Sequence, residues 1–279
     1  MPTSGRHICF TGTVFLYCLE NIDCTMLKEQ FDLKGKVALV TGSSQGIGKA
    51  IALGLAEFGA ELLLLYHSGK EEAEEVRKEI KDMGQKAHVF QADLSKAGSV
   101  EKLYSALAAR KLYPDILVIN ASVQVAKDWN EMSEKDFDFQ VDTNFKSTLK
   151  LFQKFIPPML NKGWGRVVTI GSVQQQKPHP AMLVYAATKA AVENMVRNLA
   201  MQVAERGVTV NNLAPGVIST PRLDEPVPEV EERINQRMNT PMGEIGEPLD
   251  CAAMALLLCS DAGKFITGQN FYVDGGMSL

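Results

Sequence analysis

The chain has 279 residues, 46% hydrophobic and 22% charged, enough to bury a sizeable core and to exclude wholesale disorder. Its 29 basic and 33 acidic residues leave a net charge of −4, the wrong sign for a general nucleic-acid binder. The longest apolar run is about a dozen residues, too short for a membrane-spanning helix.

Residues 1–30 show no clear period. An apolar stretch from Ile8 to Leu19 follows Arg6. Thr11, Gly12 and Thr13 interrupt it, and Glu20-Asn21-Ile22-Asp23 stands where a secretory leader carries small residues. The segment is read as a poorly ordered extension, with Met26 as a natural start, ahead of one domain over 31–279. Of five cysteines, Cys9, Cys18 and Cys24 fall in this front piece. Cys251 and Cys259 are eight apart in a helical pattern. That is no disulfide framework, and it predicts a reducing, cytoplasmic setting.

From residue 36 onward, strand and helix signals alternate. Lys36–Thr41, Leu62–Leu65, Ala87–Gln91, Ile116–Ile119, Val167–Ile170, Val208–Asn212 and Asn270–Val273 are short apolar runs, suited to strands buried on both faces. Helical patterns lie between most of them, over Ile47–Phe58, Lys70–Met83, Ser95–Ala109, 140–162 and 183–206. Regular alternation predicts a parallel sheet with helices on both faces and right-handed crossovers.

The first strand ends in Thr41-Gly42-Ser43-Ser44-Gln45-Gly46-Ile47-Gly48, and a helix follows. Glycines allow a tight turn and close backbone approach. The free N–H groups and positive dipole end of the helix suit a pyrophosphate. Strand before and helix after supply the context of a dinucleotide fingerprint. An acid about 20 residues further on would select NAD through the ribose 2′-hydroxyl. The second strand instead ends in Tyr66-His67-Ser68, without a carboxylate. His67, Ser68 and Lys70, with Ser44 from the loop, suit a 2′-phosphate. NADP(H) is favoured, and NAD(H) stays open because Gln45 is not basic.

Tyr185 and Lys189 are four apart at the start of a helix, so both lie on one face. An ammonium held beside a phenol favours phenolate. Such a pair makes a proton donor and acceptor matched to neutral pH.

Taken in order, Gly42/Gly46/Gly48, Asn120, Asn144, Ser172, Tyr185 and Lys189 closely resemble the classical short-chain dehydrogenase/reductase family, over about 36–279. Ser172 precedes Tyr185 by 13 residues and follows Asn144 by 28, both as in that family. The resemblance implies a single-domain Rossmann fold with a doubly wound, seven-stranded parallel sheet. It implies cofactor contacts at Gly42, Ser44, Gln45, Gly46, Ile47 and Gly48, and at Tyr66, His67 and Ser68. Further contacts are implied at Asp93 and Leu94 (adenine), Asn120, Ala121 and Ser122, Tyr185 and Lys189, and Pro215, Gly216, Ile218 and Thr220 (carboxamide). Catalytic roles fall on Asn144, Ser172, Tyr185 and Lys189: a water-holding relay, a substrate hydrogen bond, proton transfer, and a lysine that tunes the tyrosine and binds the nicotinamide ribose. Tyr272-Val-Asp-Gly-Gly276 resembles the family's C-terminal signature. A homotetramer is implied, with helices 140–162 and 183–206 as the interface. No metal, nucleic-acid or membrane partner is expected.

Two positions depart from the family pattern. Ile119 replaces the first Asn of Asn-Asn-Ala-Gly, and Ser122 replaces its Gly. The segment 217–247 holds four prolines, with Pro248 directly after it, and reads as a lid over the carboxyl ends of the strands. Gln174, Gln175, Gln176 and His179 after Ser172 suit a hydroxyl-rich substrate such as a sugar or polyol. Arg222, Arg233 and Arg237 could meet an anion, though Asp224, Glu225, Glu229, Glu231 and Glu232 surround them. The C-terminal third resembles sugar and sugar-alcohol dehydrogenases, while Thr169–Val173 equally resembles 3-oxoacyl-carrier-protein reductases. A non-catalytic nucleotide-binding regulator is the reading from another class.

Overall fold

Every interior strand alternates between two apolar cores, and this places the layers. Ala38, Val40, Leu62, Leu64, Ile116, Val118 and Val168 face one side; Leu39, Leu63, Leu65, Leu117, Ile119 and Val167 face the other. Burial on both faces is why these runs are continuously apolar. The computed structural model describes residues 26–224, 227–228, 231–232 and 239–279. The extension ahead of Met26 lies outside the described residues. So do Glu225, Pro226, Glu229, Arg233 and Arg237 of the expected lid.

After a 3-10 turn at Leu27–Phe31, the strands are β1 (Val37–Thr41), β2 (Glu61–Tyr66), β3 (Ala87–Gln91), β4 (Ile116–Ile119), β5 (Gly165–Ile170), β6 (Val208–Pro215) and β7 (Asn270–Val273). The helices are α1 (Gly46–Glu57), α2 (Lys70–Asp82), α3 (Ser99–Ala109), α4 (Glu134–Gln140), α5 (Ser147–Lys162), α6 (Leu183–Val203) and α7 (Pro248–Cys259). All strand pairs are parallel, in the order β3-β2-β1-β4-β5-β6-β7. Helices α1, α2 and α7 cover one face; α3, α5 and α6 cover the other. This is the doubly wound Rossmann sheet the sequence led us to expect. Strand order reverses between β1 and β4, and a crevice opens there beyond the carboxyl ends of the strands.

Three boundaries differ from the sequence reading. Helix α3 starts at Ser99 rather than Ser95, because the Asp93 carboxylate accepts from Ser95 N at 3.0 Å and Oγ at 2.6 Å, closing a turn first. Strand β6 runs three residues past Asn212, since Asn212–Pro215 pairs with β7. The helix expected over 140–162 is broken by a π-helical segment, Val141–Lys146, between α4 and α5. Among the described residues no helix is long and apolar enough to cross a membrane, and no cluster of His, Cys, Asp or Glu is arranged to hold a metal. Cys251 and Cys259 are free and buried, their thiols pushed up to about 12 chiefly by burial.

Candidate active site

The crevice is a cleft of about 570 Å³ along the carboxyl ends of β1, β2, β4, β5 and β6. Its floor is tied together across the switch point. The Thr41 hydroxyl accepts from Asn120 N and Ala121 N, both at 3.0 Å. The Asn120 amide donates back to Thr41 O at 3.0 Å and Gly42 O at 2.9 Å. A side chain on Gly48 would meet Gly42 O at 2.1 Å, so only glycine lets α1 start this close to the loop. Gly42 and Gly46 hold φ of +64° and +55°, a region side chains avoid.

These residues fit a dinucleotide. No acid occupies the first turn of α1, and the Gln45 side chain makes no cap, so the first N–H groups and the positive helix end are free for a pyrophosphate. Tyr66, His67, Ser68, Asp93 and Leu94 line the far end of the cleft. Burial raises the Asp93 carboxyl, but hydrogen bonds from Ser95 and the charges of His67 and Lys96 outweigh it, leaving the pKa below the usual value. Lys70, expected to help hold a 2′-phosphate, opens α2 and does not line the cleft. Glu71 and Glu72 fill the first turn of α2 and offset its dipole. Contacts to such a phosphate fall to Ser44, His67 and Ser68.

Helix α6 and the end of β5 bring Ser172, Tyr185 and Lys189 to the other end of the cleft, all buried. Ser172 Oγ accepts from Gln174 N at 3.2 Å, which leaves its O–H free to donate. Lys189 donates to Ile170 O at 2.6 Å, and its Nζ is 5.6 Å from the centre of the Tyr185 ring. Burial, aided by the charge of Arg222, pushes the Lys189 ammonium down from 10.5 to about 7. Lysine is thus itself titratable at neutral pH, where the sequence reading treated it as a fixed charge.

Asn144 lies behind the wall of the cleft, in the π-helical segment. Its Oδ1 accepts from Val123 N and its Nδ2 donates to Val123 O, both at 2.8 Å, and Nδ2 also donates to Thr188 Oγ1 at 3.2 Å. The Asn144 side chain is thus engaged by Val123 and Thr188. Of the catalytic and cofactor residues implied by the family resemblance, only Gly48 and Asn144 do not line the cleft, and each supports one that does.

Of the three glutamines after Ser172, only Gln174 lines the cleft. Gln175 turns inward to Glu193 and Asn212, and Gln176 is exposed. His179 lines the cleft, and burial lowers its pKa. Sequence reasoning missed Phe139, Met182, Val227 and Met277, apolar lining residues that carry no motif. It also missed a contact 100 residues apart in the chain: Arg222 donates to Ser122 Oγ at 3.1 Å and to Ser122 O at 2.7 Å.

A family model described as enoyl-(acyl carrier protein) reductase matches residues 42–278. This chain is a short-chain dehydrogenase/reductase. It is 36% identical over 244 residues to the 3-oxoacyl-[acyl-carrier-protein] reductase FabG of Staphylococcus aureus, covering 88% of this chain and 98% of that one. Among solved structures it is similar to a 3-oxoacyl-(acyl-carrier-protein) reductase of Agrobacterium tumefaciens with NADP bound, at 37% identity and a TM-score of 0.83 over 91% of this chain and 99% of that one. It is also similar to a candidate NAD(P)-dependent gluconate 5-dehydrogenase of Beutenbergia cavernae, at 34% identity and a TM-score of 0.80 over 89% and 98%. As a short-chain dehydrogenase/reductase the chain is an oxidoreductase built for a nicotinamide nucleotide. Its relatives' names span acyl and sugar-acid substrates, so family membership leaves the substrate to the cleft.

Proposed function

We propose that this protein uses NADP(H) to interconvert a secondary alcohol and a carbonyl, with Tyr185 as proton donor and acceptor. The observation that carries the reading is Lys189, wholly enclosed one helical turn from Tyr185 and pushed down to about 7 at the end of the cleft where Ser172 also lies. A base matched to neutral pH is what proton transfer needs. The nicotinamide, when bound, accepts hydride from the carbinol carbon or returns it to the carbonyl carbon. The Ser172 hydroxyl holds the substrate oxygen. Tyr185 takes the hydroxyl proton in oxidation or supplies it to the nascent alkoxide in reduction. Lys189, whose Nζ is 5.6 Å from the centre of the Tyr185 ring, can lose or regain a proton at neutral pH. Asn144 acts by fixing Val123 and Thr188 around this group, and any relayed water falls to its main chain.

A missing carboxylate after β2, with Ser44, His67 and Ser68 in its place, supports NADP(H) over NAD(H). For the substrate we favour a sugar or polyol, on the strength of Gln174 and His179 in the lining. A 3-oxoacyl thioester is the second reading, supported by the apolar Phe139, Met182 and Met277. The outer face of α6 carries exposed Leu183 and Met201, which supports association of copies into a homotetramer.

Replacing Tyr185 by Phe should abolish turnover while leaving NADPH affinity, read by cofactor fluorescence, nearly unchanged. Turnover retained at the wild-type rate would reject the assignment. Absence of turnover in the wild type across alcohol and carbonyl panels, with NADPH still bound, would favour the non-catalytic regulator. Direct comparison of Kd for NADP and NAD tests the cofactor preference.

A further inference from the structure

Arg222 lies in the 3-10 turn Pro221–Asp224, two residues past Thr220, and reaches across the cleft to Ser122. Both acceptors there are neutral, a hydroxyl and a carbonyl. Among the described residues no carboxylate forms an ion pair with this half-buried guanidinium. The charge of Arg222 adds to burial in disfavouring the protonated form of Lys189. Among the described residues Asp93 is the one acid that lines the cleft, at its other end and engaged by Ser95. The described lining of the catalytic end thus has two cations and no carboxylate, which makes it a place where an anion is stabilised.

We propose that Arg222 receives a carboxylate of the substrate, so that the enzyme acts on a hydroxy acid or oxo acid. This rests on the reading of the same cleft as an alcohol/carbonyl site. A planar guanidinium presents two parallel N–H groups that match a carboxylate. Ser122 now takes those two donors with two oxygens, a neutral stand-in for the same fork. The departure from the family's Gly at this position thus has a use: the hydroxyl parks the arginine at the cleft. A substrate bound with its reacting oxygen at Ser172 and Tyr185 would place an acid group against Arg222 and relieve the repulsion on Lys189. The cofactor's pyrophosphate is the other anion the cleft takes. It has its own provision in the free N–H groups of α1, whereas Arg222 sits within reach of Lys189.

The test uses the full chain loaded with NADP(H) and matched pairs of equal carbon number: lactate with propane-1,2-diol, and gluconate with sorbitol. Binding of each is measured by calorimetry to Tyr185→Phe, and turnover to the wild type. The acid of a pair is expected to bind at least 30-fold more tightly than its neutral partner. Arg222→Gln should collapse that ratio to within about threefold, and Arg222→Lys should restore part of it, since charge without the fork is kept. No preference for either acid over its partner in the Tyr185→Phe protein overturns the proposal. So does an Arg222→Gln protein that keeps the ratio. If Arg222→Gln instead weakens NADPH by the same factor as it weakens the acids, the arginine serves the pyrophosphate and the proposal falls. Retained turnover in Tyr185→Phe would overturn the catalytic reading alone, because acid binding is scored separately.

Discussion

Lys189 ties one side chain's chemistry to the stability of the whole chain. Its ammonium is held at about 7 in the folded protein, against 10.5 in the open. Below pH 7 both states are protonated and folding carries the full cost of the buried charge. Between about 7 and 10.5 the unfolded chain binds the extra proton, so this cost fades as pH rises. Relative to Lys189→Met, the wild type should therefore gain stability from pH 7 to 9, by up to about 1.4 kcal/mol per pH unit. Urea unfolding of both proteins at pH 7, 8 and 9 checks this, and a constant difference would contradict it. The turn that joins Tyr185 to Lys189 was legible in the sequence because a four-residue spacing on a helix fixes geometry locally. The glycine loop was legible for a similar reason, since a tight turn between strand and helix demands those residues. Ser122 and Arg222 were noted separately, but nothing local to either residue reports a partner 100 positions away.

Segments without a fixed period were harder to read than the strands. Double burial forces an apolar run, so the five interior strands stood out. The start of α3 depends on how Asp93 folds back onto Ser95, and the bend before α5 depends on Asn144. In that bend Ser147 Oγ donates to Thr143 O at 2.5 Å and Thr148 Oγ1 to Asn144 O at 2.8 Å, side-chain bonds that loosen a helix. The Asn144 amide then replaces a missing strand partner for Val123, both N–H and C=O. Asn144→Leu should leave both groups unpaired and cost about 2–6 kcal/mol, at about 1–3 kcal/mol for each orphaned group. Asn144→Asp keeps the acceptor for Val123 N–H and should cost less. Thermal unfolding ranks the two, and the Val123 amide should exchange hydrogen faster in the leucine variant. Equal, small losses would show that this amide does not hold the loop.

At the scale of the molecule, the start of β5, inside the sheet, is joined to the turn that follows α7 through Arg166. This arginine is buried on β5 and donates to Ser260 O at 3.0 Å and to Asp261 at 2.8 Å, while its guanidinium stacks 4.4 Å from the Trp164 ring. Arg166→Leu should lower stability by about 1.5–3 kcal/mol, the scale of a charged hydrogen bond, because the carbonyls it serves are then orphaned. NADPH affinity, measured beside the unfolding curve, should hardly change, since Arg166 does not line the cleft. No property of β5 alone reports the strand order that puts Arg166 there.

The two ends of the described chain relate very differently to the cleft. Met26 leads into a 3-10 turn whose Phe31 packs against Phe58 at the end of α1. Met277 lines the cleft, and Lys177, in the loop that follows Ser172, donates to Met277 O at 2.6 Å and to Leu279 O. For anyone purifying or immobilising this enzyme, a handle fused ahead of Met26 should be innocuous. The same handle grown from Leu279 should pull on the loop that follows Ser172.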